Sequence, residues 1–324
     1  WLGEKYSSLS MLVSGYVLSI PVFHDTVFYL LIPLARAMTI RNGGKRYVLN
    51  ALSIGAGGVA THLFVPPTPG PLAMAATMNL DIGLVMIVGL TIGIPSSLAA
   101  WLYAVWIDRK LNIPMREAPG ASLAELEEIA NRPESELPGF FVSMLPIALP
   151  VLLITGNTVA NTFFSGTAFA QQMVFWGNAN VALILSAACG LWVLARHKNM
   201  GLRDLAKPAE KAIKDAGLII MITAGGGAFG GMLVAAGVAD SLSRGASDMG
   251  ISYLFLAFGV AMMLRVAQGS ATVAMITVSQ MLAPLITQSP LPYHPVYLLI
   301  ATGGGAIMAG WMNDSGFWVY KTMT

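Results

Sequence analysis

Long apolar stretches alternate with short polar connectors along this chain. The apolar stretches fall at residues 9–35, 48–78, 82–107, 139–156, 174–195, 216–238, 252–286 and 296–320. Several contain runs of about 16–25 apolar residues, which is long enough to cross a bilayer core of roughly 30 Å as a helix. The pattern predicts an all-α polytopic membrane protein in which residues 1–324 form a single transmembrane domain.

Composition supports this class of protein and argues against several others. Only 10% of the residues are charged and 56% are hydrophobic, whereas soluble domains carry about 25% charged residues. The one cysteine, Cys189, lies in an apolar stretch and cannot build a disulfide framework. No zinc-ligand spacing, P-loop or nucleophile elbow is present, so we expect neither an enzyme nor a metal or other cofactor. The net charge of +2 predicts no nucleic-acid partner.

The basic residues indicate how the chain is oriented in the membrane. Of the 18 Lys and Arg residues, 15 lie in four places, namely Lys5, residues 36–46, residues 109–132 and residues 196–214. Cytoplasmic loops carry such an excess, so we assign these places to the cytoplasm. The nearly neutral connectors, including an uncharged loop from Thr155 to near Asn180, are assigned to the outside. The longest connector, residues 108–138, is then a cytoplasmic loop. Ser122 and Glu125 in it form a candidate capping box for a short solvated helix.

Two apolar stretches must begin and end on the same side of the membrane. Residues 9–35 lie between cytoplasmic connectors and are too short for two spans of about 20 residues each. They predict an inner re-entrant hairpin that turns near Pro21 to Thr26. Residues 252–286 predict an outer re-entrant hairpin that turns near residues 265–272. Five crossings separate the hairpins, so the two halves of the chain would have opposite orientations.

A broken helix follows each predicted hairpin. Residues 48–78 contain four prolines within PPTPGP, which remove backbone donors and interrupt a helix. Residues 296–320 contain Asn313, Asp314 and Ser315. The distance from Asp25 to Pro67 along the chain equals that from Thr272 to Asp314, 42 residues. This arrangement is typical of the inverted repeats of secondary transporters, whose substrate sites lie on discontinuous helices near the midplane.

Two glycine clusters need a separate interpretation. TAGGGAFGG, residues 223–231, contains GxGxxG, but no strand precedes it, and a dinucleotide site requires one. We expect these glycines to allow either close helix packing or local unwinding. The same two alternatives apply to the glycines at 303–305.

Few ionisable residues lie inside the apolar stretches. Asp25, Arg265 and Asp314 carry the charges, and His24 and His62 accompany them. Ionisable groups at this depth are costly and usually mark ion, proton or substrate paths. A structural ion pair between Arg265 and Asp314 is the alternative. Neighbouring side chains on a helix point about 100° apart, so we do not expect His24 and Asp25 to form a dyad.

The chain resembles the gluconate permeases, a family of gluconate:proton symporters within the ion transporter superfamily. The matching stretches are VFYLLIPL, THLFVPPTPGPLAMA, ITAGGGAFGGMLVAAGV, LRVAQGSATVAMIT, LAPLI and NDSGFWVYK. The family pattern continues beyond both ends, so we expect a fragment. Many relatives have FFE where this chain has VFHD and HPGP where it has TPGP, at residues 68–71. Because of these departures, the expected substrate is a small organic anion, which need not be gluconate.

The resemblance implies an elevator-type carrier in the inner membrane, commonly a homodimer, that imports a sugar acid or hydroxy acid with H⁺. Asp25 is the leading candidate for proton coupling, because burial favours the protonated form of a carboxylate, and His24 or His62 could share that role. Candidate substrate-binding residues are Thr26, Thr61, Thr68, Arg265, Gly269, Ser270, Thr272, Asn313, Asp314 and Ser315. Of these, Ser270, Thr272 and the amides of the hairpin turn are expected to hold the carboxylate.

Other functions stay open at this point. Broken helices with free carbonyls also suit a sodium-coupled organic anion carrier. A permease for D-serine or another hydroxy acid fits the family equally. A homologue that senses its ligand without transporting it would keep the binding residues and show no flux.

Overall fold

A computed structural model describes residues 6–21, 23–41, 43–111, 113, 115, 138–238, 241, 251–288 and 291–323. All regular elements in these ranges are α-helices. The candidate capping box of Ser122 and Glu125 lies outside the described residues. The helices are α1 Ser7–Leu18, α2 His24–Arg41, α3 Tyr47–Phe64, α4 Pro69–Thr77, α5 Ile82–Lys110, α6 Phe140–Phe163, α7 Ala168–Trp176, α8 Ala179–Lys198, α9 Leu202–Ala235, α10 Tyr253–Gln268, α11 Ala271–Gln288, α12 Val296–Ile307 and α13 Ser315–Met323.

The first half of the fold contains two chain breaks. Helix α1 ends at Leu18 and α2 begins at His24, so the break falls close to the turn expected from the sequence. Helix α3 ends where Val65 becomes extended, and α4 begins at Pro69. N–H groups in the first turn of a helix have no intrahelical partner, so a proline, which lacks an N–H, loses no hydrogen bond there. The prolines of PPTPGP thus end one helix and start the next.

The second half contains two corresponding breaks. Gly269 and Ser270 separate α10 from α11, and Gly269 adopts a left-handed conformation with φ 80°. Its N–H donates to Arg265 O at 2.8 Å, which caps α10. Residues 308–314 separate α12 from α13. Each half therefore has a helix pair with a short turn, followed by a helix interrupted at a polar or proline-rich stretch.

One segment differs from the sequence interpretation. An uncharged loop was expected from Thr155 to near Asn180, but α6 continues to Phe163 and α7 occupies 168–176. That prediction was wrong because the segment is uncharged but still largely apolar. The side chain of Thr167 accepts from Ala170 N–H and caps α7, which explains where the new helix begins.

The two glycine clusters have different structural roles. Helix α9 runs without interruption through residues 223–231, so the local unwinding alternative is not realised there. At 303–305 the backbones of neighbouring helices approach closely. A Cβ on Gly305 would lie 2.1 Å from Phe258 O, and one on Gly303 would lie 2.8 Å from Leu63 O. These glycines let α12 pack directly on α10 and α3.

Four stretches are long and apolar enough to cross a membrane, judged by length and composition within the described residues. They are Tyr47–Thr77, Ile82–Lys110, Phe140–Phe163 and Ala179–Lys198. Several other apolar helices are shorter, including α1, α10 and α12. A helix of 12 to 16 residues is too short to span a bilayer. The paired helices flanking the breaks are thus unlike ordinary spanning helices.

Packing brings helices from both halves of the chain together. Helix α3 packs on α1 and α5, α10 packs on α12, and α11 packs on α9 and α4. The larger apolar core includes Leu63, Met74, Met275 and Leu299, which come from α3, α4, α11 and α12. A smaller core joins α1, α2 and α3 around Phe28 and Ile54. The broken helices are held from both sides by these two cores.

Candidate functional site

A cavity of about 290 Å³ lies where the chain breaks meet. It receives residues from the turn between α1 and α2, the end of α3, the turn between α10 and α11, and the break between α12 and α13. The lining residues are Phe23, His24, Asp25, His62, Arg265, Gln268, Gly269, Ser270, Ala271, Thr272, Ile307, Asn313, Asp314 and Ser315. Segments nearly 300 residues apart in the chain therefore build one polar site.

An ion pair forms one wall of the cavity. Arg265 Nη2 lies 2.5 Å from Asp314 Oδ2, and the Arg265 side chain is 3% exposed. Its Nη1 also donates to the carbonyl of Gly269. The guanidinium group thus connects the turn between α10 and α11 to the break before α13. The structural ion pair considered from the sequence is present, and it lies in the cavity wall.

The C-terminal end of α10 is almost fully hydrogen-bonded. The carbonyl of Val266 accepts from Asn313 Nδ2 at 2.8 Å and from Trp311 Nε1 at 3.0 Å. The carbonyls of Arg265 and Gly269 are also occupied. These donors offset the negative end of the α10 dipole. The helix ends that face the cavity are then the N-termini of α2, α11 and α13, where the first N–H groups have no intrahelical carbonyl partner.

The opposite wall contains a carboxylate and two imidazoles. His24 Nε2 lies 2.9 Å from Asp25 Oδ1, and Ser315 Oγ donates to Asp25 Oδ2 at 3.0 Å. The rings of His24 and His62 are 5.1 Å apart between centroids. The expectation that His24 and Asp25 would not pair was wrong. Both lie in the first turn of α2, where there is no preceding helical turn to keep the two side chains apart.

Gly316 separates the two carboxylates. A Cβ at this position would lie 3.2 Å from both Asp25 Oδ1 and Asp314 Oδ2, and 3.5 Å from His24 Nε2. Both acids therefore face the same small space beside the start of α13. Two carboxylates and one guanidinium line the cavity, so with neutral histidines it carries one excess negative charge.

Several buried polar atoms around the cavity lack a hydrogen-bond partner among the described residues. They are His24 Nδ1, Asp25 Oδ1, His62 Nδ1, Arg265 Nε and Gln268 Nε2, of which Asp25 Oδ1 is at ion-pair distance from His24 but makes no aligned hydrogen bond. Unpaired buried polar atoms are costly and rare in proteins. Their concentration at one cavity indicates that they bind something that enters it.

The whole sequence, residues 1–324, matches the model of the GntP family permeases. The chain belongs to this family. It is 34% identical to an uncharacterized permease of Haemophilus influenzae, over 99% of this chain and 67% of that protein. It is 33% identical to a gluconate permease of Pseudomonas aeruginosa, over 98% of this chain and 70% of that protein. No solved structure is significantly similar to the chain.

A further relative in the GntP family has a different named substrate. The chain is 30% identical to the Gnt-II system L-idonate transporter of Escherichia coli, over 98% of this chain and 71% of that protein. The resemblance to gluconate permeases that the motifs indicated is confirmed. This is a family of membrane transport proteins and not of enzymes, and the apolar helices of the chain agree with that class.

The GntP-family chain brings most of the predicted residues together. Ten of them line the cavity, namely His24, Asp25, His62, Arg265, Gly269, Ser270, Thr272, Asn313, Asp314 and Ser315. Thr26, Thr61 and Thr68 do not. Thr61 Oγ1 donates to Tyr16 O at 3.0 Å, and Thr68 Oγ1 donates to Val65 O at 2.7 Å. Thr26 lies on the exposed side of α2.

Sequence reasoning missed four lining residues, Phe23, Gln268, Ala271 and Ile307. Phe23 and Ile307 look like ordinary members of apolar stretches, and only the fold shows that they lie beside a chain break. Gln268 had a usable signal, because it is an uncharged polar residue directly before the glycine of the predicted turn. Within the described residues, no group of three or more His, Cys, Asp or Glu side chains is arranged to hold a metal ion.

Proposed function

We propose that this GntP-family chain imports a small hydroxylated monocarboxylate, such as gluconate or a closely related sugar acid, together with protons. The named substrates of its relatives, gluconate and L-idonate, are both sugar acids. The observation that carries the proposal is the shared cavity, where an arginine and a helix N-terminus lie opposite a titratable carboxylate and two histidines. Such a cavity has partners for an anion, for hydroxyl groups and for a proton.

The carboxylate of the substrate binds at the start of α11 in this proposal. Gly269, Ser270 and Thr272 line the cavity there, and the free N–H groups of a helix N-terminus favour a carboxylate. Arg265 is adjacent and supplies a full positive charge. Asn313 and Ser315 donate to Val266 O and Asp25, and their remaining acceptor positions would bind hydroxyl groups of the substrate.

Proton coupling follows from the charge of the cavity. With neutral histidines, the excess carboxylate would repel an anionic substrate. A proton taken up by Asp25 or by one of the neighbouring imidazoles removes that repulsion. Anion and proton therefore enter the site together, and Asp25 is the proposed proton carrier, with His24 and His62 as partners. This order gives symport without any metal ion or cofactor.

We further propose that the two halves are inverted repeats that move as parts of an elevator-type carrier. The pairs α1–α2 and α10–α11 would be re-entrant hairpins, and the pairs α3–α4 and α12–α13 would be broken helices. Support comes from the short length of α1, α10 and α12 and from the cavity, which is lined by residues at three of the breaks and by His62 near the end of α3. Non-helical backbone at membrane depth is tolerated where it is buried in protein or lines such a cavity.

The proposed setting is the inner membrane, with the permease working as a homodimer. Helices α6 and α8 are long and apolar but only slightly buried within one chain. Their exposed faces carry large apolar side chains such as Phe141, Leu152 and Ile184. Lipid or a second copy must cover such faces in a membrane protein. Native mass spectrometry of the permease in detergent reports the assembly state directly.

Uptake by the purified permease in proteoliposomes tests the proposed function. Radiolabelled gluconate is supplied in sodium-free buffer, with and without an inward proton gradient. We expect accumulation above equilibrium only with the gradient, and inhibition by unlabelled L-idonate. Accumulation that requires sodium would contradict proton coupling. Binding of gluconate without any flux under either gradient would contradict transport.

A further inference from the structure

We infer that the substrate lies in the cavity in one orientation, with its carboxylate against Arg265 and Gln268 and its hydroxylated chain toward His62 and His24. In this arrangement Gln268 is the residue that distinguishes an acid from a neutral polyol. The inference rests on the proposed function, because it concerns the same cavity and the same class of substrate.

The two walls of the cavity differ in what they can bind. The wall built by α10 and α11 presents donors, namely the guanidinium of Arg265, the amide of Gln268 and the N-terminus of α11. The wall built by α2 presents the carboxylate of Asp25, already held by His24 and Ser315. On the first wall Arg265 offsets the charge of Asp314, and further donors are present, whereas Asp25 on the second wall repels a substrate carboxylate.

Gln268 is the best placed uncharged donor on the first wall. Its Nε2 is buried and has no hydrogen-bond partner among the described residues. It is the last residue of α10, three positions after Arg265, so both side chains rise from the same turn of the helix. The nearby carbonyls of Val266 and Gly269 are already occupied by other donors. Gln268 lines the cavity, so a rotation of its side chain brings this unpaired amide to a ligand.

Arg265 has only part of its capacity committed. Its Nη2 pairs with Asp314 and its Nη1 donates to Gly269 O, while its buried Nε has no partner. A guanidinium has five N–H donors and binds carboxylates in a fork. An incoming carboxylate can share this group with Asp314 and take its second oxygen's hydrogen bond from Gln268. Asp314 thus acts as the counter-ion of Arg265 when the site holds no anion.

The hydroxylated chain is left with the second wall. The Nδ1 atoms of His24 and His62 are buried and have no partner among the described residues, and an imidazole nitrogen can donate to or accept from a hydroxyl group. Phe23 and Ile307 provide apolar surface in the same cavity for the C–H groups of the chain. The cavity therefore matches a linear polyhydroxy acid lying with its charged end at α10.

Substitutions of Gln268 test this orientation with two probes, gluconate and gluconamide. The probes share their hydroxyl groups, but only gluconate carries a charged end. Gln268→Met keeps the length of the side chain and removes its hydrogen bonds. Gln268→Glu places a second carboxylate beside the site of the substrate carboxylate. Gln171→Met, on the exposed surface of α7, is the matched control.

We expect Gln268→Met to weaken gluconate binding about tenfold, as is usual for a lost hydrogen bond to a charged group, and Gln268→Glu to weaken it further. Gluconamide binding should weaken by a clearly smaller factor in Gln268→Met, because its neutral carbonyl accepts a weaker hydrogen bond than a carboxylate does. Equal weakening of both probes, or no weakening of gluconate, would overturn the inference. Size-exclusion profiles identify any variant that fails to fold, and the two substitutions give independent readings. If the wild-type permease bound no sugar acid at all, the proposed function itself would fall.

Discussion

At the scale of single residues, the site depends on a few charges that the apolar stretches made conspicuous. Asp25, Arg265 and Asp314 could be selected from the sequence because a charge at membrane depth needs a reason. Their partners could not be selected, since Ser315 meets Asp25 and Asn313 meets Val266 only after the chain has folded. Thr61 and Thr68 show the opposite error, because their hydroxyls bond to nearby backbone carbonyls, which residue type alone does not reveal.

Substituting Gly316 tests whether the two acids share one space. The Cβ of Gly316→Ala would lie 3.2 Å from both Asp25 Oδ1 and Asp314 Oδ2, so we expect both side chains to shift. Because both carboxylates line the cavity, we expect gluconate affinity to fall by roughly tenfold, which equals about 1.4 kcal/mol of binding free energy. Gly259→Ala is the control, because a Cβ there meets nothing within 4 Å. Equal affinities for the two variants would argue against the close approach of the acids.

Breaking the ion pair between Arg265 and Asp314 is predicted to lower the stability of the permease. Breaking a buried ion pair by removing one partner typically costs about 3–5 kcal/mol, because the other charge stays buried and unpaired. We expect Arg265→Gln and Asp314→Asn each to lower the melting temperature of the detergent-solubilised permease. The double variant should recover part of that loss. Additive losses in the double variant would show that the two side chains do not depend on each other.

At the scale of elements, the helix breaks are the features that the sequence predicted best. Each of these breaks has a local physical cause in the sequence. The causes are the prolines at 66–71, the Gly269–Ser270 pair and the polar residues at 313–315. Helix α7 was not predicted, because an uncharged apolar segment gives the same pattern in a loop near the membrane and in a short helix. The continuity of α9 through its glycines depends on the rest of the helix, not on the motif.

Comparison of two glycines separates backbone strain from packing at the turn between α10 and α11. Gly269 and Gly166 both have φ of 80°, but a Cβ on Gly269 would lie 2.2 Å from Asn313 O, whereas one on Gly166 would meet nothing within 4 Å. Gly166→Ala should cost about 1–2 kcal/mol, the penalty of a left-handed conformation. We expect Gly269→Ala to be clearly more destabilising in chemical unfolding and to abolish gluconate binding. Similar effects of the two substitutions would mean that the turn does not pack on the break before α13.

At the scale of the whole molecule, both halves of the chain contribute to one cavity, with four lining residues from the first half and ten from the second. The hydrophobic pattern and the spacing of the breaks predicted that two such halves exist, and the family match agrees with a permease. Which atoms face each other could not be predicted, because that depends on how α1, α3, α10 and α12 pack through close backbone contacts. The proposed orientation in the membrane rests on the basic connectors.

Labelling of single cysteines tests that orientation. The single cysteines are introduced in a Cys189→Ser background. Lys45→Cys and Gly201→Cys lie in exposed connectors assigned to the cytoplasm. Ser165→Cys lies in an exposed connector assigned to the outside. A membrane-impermeant maleimide added to intact cells should label only Ser165→Cys. Inverted vesicles should label the other two variants. Labelling of Lys45→Cys and Ser165→Cys from the same side would contradict the assigned topology.

Titration calorimetry of gluconate binding, repeated in buffers of different ionisation enthalpy, tests the central claim most directly, because it counts the protons taken up with the anion. The cavity carries two carboxylates against one guanidinium, so the account predicts uptake of about one proton per gluconate near neutral pH. Asp25→Asn should bind gluconate with little or no proton uptake. Binding of gluconate to the wild-type permease with an enthalpy that is independent of the buffer would contradict the account.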